Sequence, residues 1–311
     1  MKLAIIVPCY NEQDVIEETT RRLTDLVDRM IADKRLDDCG LVFVDDGSKD
    51  DTWRLIEESQ GKNKYVHGIK LAHNCGQQNA VWAGLQHVVD KYDAAISIDA
   101  DLQDDLQAVV EMVDKFNNEQ CDVVYGVRKE RKNDTFFKRT TAVAFYKLML
   151  KMGVDIVYNH SEFRLLSRRV IEALLQYPER NLFMRGIVPM IGFKSDNVYY
   201  DRVERLAGKS KYSWGKLFML AINGITSFSI KPLRLITSIG VIIMFLSLCA
   251  GIYAFVSYFC GVAIQGWTSL LLSVWFLGGV QLFCVGVLGE YIGKIYKEVK
   301  HRPRYHVEKI I

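Results

Sequence analysis

Between residues 235 and 289 the chain contains not one Asp, Glu, Lys or Arg, and no other feature limits its fold as tightly. A bilayer core takes about 20 apolar residues per helix. The uncharged stretch is therefore long enough for two spans, over 235–260 and 268–291, joined by a turn at 261–267. A soluble helical hairpin would carry charge on its outer faces, and none is present here. Lys231 and Arg234 precede the first span; Lys294, Lys297, Lys300, Arg302 and Arg304 follow the second. By the positive-inside rule both termini, and everything ahead of the spans, are expected on the cytoplasmic side. The opening run 3–7 stops at Pro8 and is too short for the apolar region of a signal peptide.

Residues 1–234 mix charged and apolar stretches. Short apolar runs at 3–7, 41–44, 66–71, 94–98 and 123–126 read as strands, and 15–31, 51–59, 78–89 and 106–116 have helical spacing. Strand and helix in alternation imply an α/β fold with a mostly parallel sheet covered on both faces. Ligands of such sheets sit beyond the carboxyl ends of the strands. Four of those ends carry unusual residues: Pro8-Cys9-Tyr10-Asn11-Glu12, Asp45-Asp46-Gly47-Ser48, Asp99-Ala100-Asp101-Leu102-Gln103 and Gly126-Val127-Arg128.

The net charge of +3 is too small to argue for nucleic acid. Basic residues gather at 129–138 and 202–216, where they face anionic lipid, phosphate or solvent. Segment 136–152 reads equally as a surface helix on a membrane or as a helix packed on the sheet. Segment 214–229, with a single lysine, has the stronger claim to the interface. The seven cysteines include no C-x-x-C pair and read as reduced, small apolar residues.

Asp99 and Asp101 put two carboxylates at one sheet edge, which is costly unless a cation neutralises them. A hard divalent ion bound by carboxylates and substrate phosphates is the usual solution. A carboxylate such as Asp45 or Asp46 at a strand tip can accept hydrogen bonds from a base or from ribose. The same Asp-Asp-Gly-Ser run is also ordinary turn and N-cap chemistry. His160 reads as a loop histidine making a plain hydrogen bond.

Taken together, Pro8-x-Tyr10-Asn11-Glu12, Val44-Asp45-Asp46-Gly47-Ser48 and Asp99-Ala100-Asp101-Leu102-Gln103-Asp104 resemble the family-2 glycosyltransferases with a GT-A fold. Val124-Tyr125-Gly126-Val127-Arg128, Phe163-Arg164-Leu165-Leu166-Ser167-Arg168, Arg180-Asn181-x-Phe183-Met184-Arg185-Gly186 and Gly208-Lys209-Ser210-Lys211-Tyr212 resemble its polyprenyl-phosphate branch. That branch includes dolichyl-phosphate mannose synthase and the bactoprenol glucosyltransferases. The terminal spans and Gly289-Glu290-Tyr291-Ile292-Gly293 resemble the bactoprenol group.

The resemblance implies a Rossmann-like GT-A domain over 1–212, an interfacial amphipathic helix over 213–234, two transmembrane helices over 235–293 and a basic cytoplasmic tail over 294–311. It also implies roles. Pro8, Tyr10, Glu12, Asp45, Asp46, Ser48, Asp99 and Lys209 bind the donor nucleotide, while Asp99, Asp101 and Gln103 hold Mg2+ or Mn2+. Arg128, Arg139, Arg205 and Lys211 meet the acceptor phosphate, and Asp101, Arg128, Glu162 and Lys211 are the catalytic set. Many bactoprenol relatives have Gly-Asp-Phe-Arg-Leu where this chain has Ser161-Glu162-Phe163-Arg164-Leu165, so a longer carboxylate stands at that place.

The activity implied is transfer of a hexose, with inversion, from a UDP-sugar such as UDP-glucose to undecaprenyl or another polyprenyl phosphate. It would occur at the cytoplasmic face of a bacterial inner membrane, with the product passed to a flippase for cell-envelope polysaccharide. The hairpin offers a face for self-association. The alternatives are a processive polysaccharide synthase, which would carry a Gln-x-x-Arg-Trp motif absent here, and a non-catalytic partner of a flippase. A phosphate monoester has a second pKa of about 6, so near neutral pH the acceptor already carries its attacking anion. The site then has to supply positive charge rather than a base.

Overall fold

The computed structural model describes residues 1–129, 160–180, 182–201, 226, 231–260 and 266–311. The chain divides into two compact units: Met1–Lys147 with Asp155–Trp214 and Arg302–Ile311, and Leu148–Val154 with Gly215–His301.

The first unit contains β1 (Lys2–Cys9), α1 (Ile16–Ala32), β2 (Asp38–Asp45), α2 (Thr52–Lys62), β3 (Val66–Leu71), α3 (Gln77–Val88), β4 (Ala94–Ser97), α4 (Leu106–Glu119), β5 (Val123–Arg128), β6 (His160–Ser167), α5 (Arg168–Leu175), α6 (Met184–Ile191), β7 (Ser195–Tyr200) and β8 (Val307–Ile310). The strands form one eight-stranded sheet in the order β7-β5-β6-β4-β1-β2-β3-β8. β6 and β8 run against the rest.

β1 and β2 are nearly continuous apolar runs with Leu3, Ala4, Ile5, Ile6, Val7, Leu41, Phe43 and Val44 fully buried, as expected of parallel strands covered on both faces. α1 forms because Ile16, Thr19, Leu23, Leu26, Val27 and Met30 recur at helical spacing and are all buried. Burying each large apolar side chain contributes about 1.5–3 kcal/mol. α4 begins where the Asp105 carboxylate accepts from the Gln107 N–H at 2.9 Å, an N-cap bond.

Proline placement opens the crevice. β4 follows β1 only as far as Ile6 opposite Ser97, where the Ile98 N–H donates to Ile6 O at 3.0 Å. The next ladder bond would need an N–H from residue 8, and Pro8 has none. β4 leaves the sheet at that point, while β1 continues beside β2 to Cys9 opposite Asp45. Chain order also reverses here, since β2 and β3 lie on one side of β1 and β4 on the other. This is the topological switch point of an open α/β sheet.

Three sequence expectations are corrected. His160 opens β6 rather than lying in a loop. β6 itself, read from sequence only as a motif, separates β4 from β5. The stretch 294–311 is not a single tail: helix continues to Val299 and residues 302–311 return to the first unit. There β8 extends the sheet beyond β3, and Gly68 and Ile311 exchange N–H···O bonds of 3.0 and 2.9 Å. A Cβ on Gly68 would lie 2.8 Å from the Ile311 side chain. The Arg304 guanidinium stacks 3.8 Å over the Trp82 ring and donates to Tyr177 O and Glu179 O at 2.8 and 2.7 Å.

The second unit contains α7 (Lys231–Phe259, 29 residues) and α8 (Trp267–Val299, 33 residues). At about 1.5 Å per residue each exceeds the roughly 30 Å of a bilayer core. Among the described residues, Ser273–Val299 is long and apolar enough to cross a membrane, with a mean hydropathy of 1.5. In α7, Thr237 and Ser238 hydroxyls donate to Leu233 O and Arg234 O at 3.0 and 2.9 Å, so neither needs water.

Candidate active site

Two loops beyond β1 and β2 are stitched together. The Asn11 N–H donates to Ser48 Oγ at 2.9 Å, the Lys49 N–H to Asn11 Oδ1 at 2.8 Å, and the Glu12 N–H to Thr52 Oγ1 at 2.9 Å. Asn11 takes a φ of 52°, which asparagine tolerates better than most residues. Gly47 has a φ of 68°, and a Cβ there would lie 2.6 Å from the His73 backbone. No other residue fits that turn. Pro8, Tyr10, Glu12, Asp45, Asp46 and Ser48 are thereby brought to one corner of the sheet edge.

The two aspartates of β2's end have different tasks. Asp45 is fully buried; its Oδ1 accepts from the Ser48 N–H at 3.1 Å while its Oδ2 has no partner. Asp46 accepts from the Cys75 and Gly76 N–H groups at 2.7 and 2.9 Å, charge-assisted bonds of about 1.5–3 kcal/mol each. Burial pushes both carboxyls above the usual carboxylate range, against the pull of those hydrogen bonds. Asp46 thus anchors the loop that starts α3, and the next residue, Gln77, donates its side-chain amide to Asp99 Oδ1 at 2.6 Å.

Past β4, Leu102 has a φ of 44° although its side chain is buried. An L-residue in that region carries a cost of about 1–2 kcal/mol. The turn brings the Gln103 N–H to Asp101 Oδ1 at 3.3 Å. Burial, then Asp104, Asp101 and Glu162, push the Asp99 carboxyl up to about 7, opposed by Arg128. Gln103 Oε1 is buried with no hydrogen-bond partner. Asp99, Asp101 and Gln103 therefore offer hard oxygen ligands, one of them orphaned, amid surplus negative charge. That donor set fits Mg2+ or Mn2+ and not a thiophilic ion. Glu119, Cys121 and Asp196 also place ligand atoms within 4.8 Å of one another, but Asp196 is already paired with Lys115.

Farther along the same sheet edge, β5 ends in Arg128, whose Nε donates to the Tyr200 hydroxyl at 3.4 Å. Glu162, on β6, has both oxygens engaged: Oε2 pairs with Arg164 and Oε1 with Arg185 Nε at 2.8 Å. Arg164 is only 1% exposed and also donates to Met184 O at 3.2 Å. Lys209, Lys211, Arg139 and Arg205 lie outside the described residues, as do the expected helices at 136–152 and 214–229.

Sequence reasoning gave Gln77 and Tyr200 no place at this edge, and it named Asp104 and Arg185 within motifs without assigning them a role. Gln77 had one signal, since it follows Gly76 at the start of α3. Tyr200 had none, because the strand that carries it is polar and half exposed.

The glycosyl transferase family 2 profile matches residues 4–175, and that of the GtrB C-terminal hairpin matches 231–295. The uncharacterized glycosyltransferase YkoT of Bacillus subtilis (strain 168) is 53% identical over 98% of this chain and 91% of its own length. The SfII prophage-derived bactoprenol glucosyl transferase of Shigella flexneri is 41% identical over 99% of this chain and 98% of its own. A structure of glucosyl-3-phosphoglycerate synthase from Mycobacterium tuberculosis overlays with a TM-score of 0.49 at 17% identity, covering 72% of this chain and 78% of that one, too distant a likeness to build on.

Proposed function

Because this chain belongs to glycosyl transferase family 2, and is a glycosyltransferase of α/β GT-A architecture, we propose that it transfers glucose from UDP-glucose to a polyprenyl phosphate, undecaprenyl phosphate in a bacterial membrane. The observation that supports the reading is the gathering of carboxylates and guanidiniums beyond the strand ends around the β1/β4 crevice. Asp45 and Asp46 end β2 on one side of it; Asp99, Asp101 and Gln103 follow β4 on the other, where Arg128 and Glu162 are close enough to act on the Asp99 carboxyl. The full-length kinship with a bactoprenol glucosyl transferase supports the acceptor and the sugar.

Asp45 and Asp46 with Tyr10, Glu12 and Ser48 hold the nucleoside. Asp99, Asp101 and Gln103 would hold Mg2+ or Mn2+, which when bound neutralises charge on the donor diphosphate. Arg128, with Lys211, Arg139 and Arg205, meets the lipid phosphate, and Lys209 closes on the donor. A phosphate oxygen forms the bond to the anomeric carbon as the bond to the UDP oxygen breaks in line, so configuration inverts. The nucleophile arrives ionised, its second pKa being about 6, and Arg128 lowers the repulsion between two anionic substrates. Glu162 orients Arg164 and Arg185 and takes no proton.

The hairpin crosses the inner membrane twice, with the catalytic domain and both termini in the cytoplasm. The product then goes to a flippase partner, and copies of the hairpin self-associate.

The test is transfer of radiolabelled sugar from a panel of UDP- and GDP-sugars into organic-extractable lipid, with purified protein, undecaprenyl phosphate and Mg2+ or Mn2+. Label is expected from UDP-glucose, and Asp101→Asn is expected to lower it by at least about a hundredfold. No label from any donor with folded protein would sink the proposal.

A further inference from the structure

Arg128 and Tyr200 are the last residues of β5 and β7, and they lie opposite each other in the parallel register of those strands. β7 alternates at this end: Tyr199 is 54% exposed, whereas Tyr200 is 2% exposed and turns inward. Its ring packs edge-on against Phe163, with centroids 5.3 Å apart. Its hydroxyl donates to Asp104 Oδ1 and accepts from Arg128 Nε at 3.4 Å. Arg128 Nη2 stands 3.9 Å from the same Asp104 oxygen, and Asp104 is 3% exposed.

The hydroxyl therefore bridges a buried carboxylate and a guanidinium whose own direct pairing is held out at 3.9 Å. A guanidinium collapsed onto Asp104 would turn its donors inward. Held at this distance, with its side chain 24% exposed, it presents part of its planar fork beyond the end of β5, a geometry that suits a phosphate.

We propose that Tyr200, acting with Asp104, is a positioning residue that sets the Arg128 guanidinium to meet the acceptor phosphate. This rests on the reading of Arg128 given above and adds what holds it. In this role Tyr200 and Asp104 act through Arg128 and not on the substrate. Tyr200→Phe keeps the ring that packs on Phe163 and removes only the spacer.

The experiment measures KM for undecaprenyl phosphate and for the sugar donor separately, in full-length protein, for wild type, Tyr200→Phe, Arg128→Lys and the double variant, with thermal unfolding alongside. Tyr200→Phe is expected to raise the acceptor KM about tenfold, leaving the donor KM and the Tm near wild type. In the Arg128→Lys background it should add little, because the two changes act on one interaction. An unchanged acceptor KM in Tyr200→Phe, an equal rise in donor KM, or an undiminished effect in the Arg128→Lys background would overturn the proposal. If Arg128→Lys itself left the acceptor KM at wild type, the role of Arg128 would fall, and the positioning role with it. Should Tyr200→Phe not accumulate, Phe163→Leu, which loosens the ring and keeps the hydroxyl, must raise the acceptor KM without affecting the donor KM, or the proposal fails.

Discussion

At the scale of single residues, Glu162 is the one whose role changes most once its neighbours are seen. From its place in the sequence it could be a base; with Arg164 and Arg185 on its two oxygens, it has a structural task first. Removing one partner of a buried ion pair costs about 3–5 kcal/mol because the other charge stays behind. Glu162→Gln is therefore expected to lower stability by an amount of that order, read by chemical denaturation. It should also reduce kcat by roughly tenfold through misplaced guanidiniums. The shape of the pH–rate profile should survive, since the lipid phosphate supplies its own anion. A lost or shifted acidic limb, with stability intact, would restore Glu162 as a general base. Asp46 belongs to the same scale: Asp46→Ala frees the Cys75 and Gly76 N–H groups, and donor KM should rise more than acceptor KM.

Elements bring a different set of consequences, because two of them depend on partners far away in the chain. β8 covers the outer edge of β3, and ion pairs Lys70–Glu308 and Lys309–Glu57 at 2.9 and 2.6 Å flank it. Deleting residues 307–311 leaves an exposed strand edge and removes Ile311 from beside Gly68. A drop in Tm of several degrees is expected, at about 2–4 °C per kcal/mol in a domain of this size. At the other end of the sheet, Asp122 before β5 accepts from Ser167 Oγ at 3.0 Å and pairs with Arg169. The Arg169 guanidinium, chiefly, holds the Asp122 carboxyl below its ordinary value. A depressed folded-state value means this pair stabilises the fold above the unfolded pKa of about 3.9, and the contribution is lost as pH falls through the folded value. Arg169→Ala should consequently weaken the fold more at pH 7 than at acid pH, the difference shrinking as pH falls, as followed by urea denaturation across that range.

For the whole molecule, the charge asymmetry around the hairpin makes an orientation test direct. With basic residues flanking both outer ends and none in the connection, a thiol placed at Gly266→Cys is expected to react with an impermeant reagent added outside intact cells. Cys75 of the catalytic domain should react only after lysis. The reverse pattern would overturn the cytoplasmic placement. Within the first unit Arg304 is anchored by the ring of Trp82 beneath it and by two backbone carbonyls.

The sequence by itself determined what depends on local order. Periodicity marked the first five strands and four helices of the α/β unit, the missing charges marked the hairpin, and Asp99-x-Asp101-x-Gln103 marked an oxygen-rich strand end. Each signal lies within a few consecutive residues, where chain geometry alone decides which side chains share a face. Tertiary structure decided the rest. β6 lies between β4 and β5 although the chain reaches it after both, and β8 pairs with a strand 238 residues away in sequence, the separation of Lys70 and Glu308. Glu162 meets Arg185, and Arg128 meets Tyr200 and Asp104, only after that ordering. No spacing rule reports such meetings, because the free energy that brings those residues together comes from burying the whole sheet rather than from any segment that contains them.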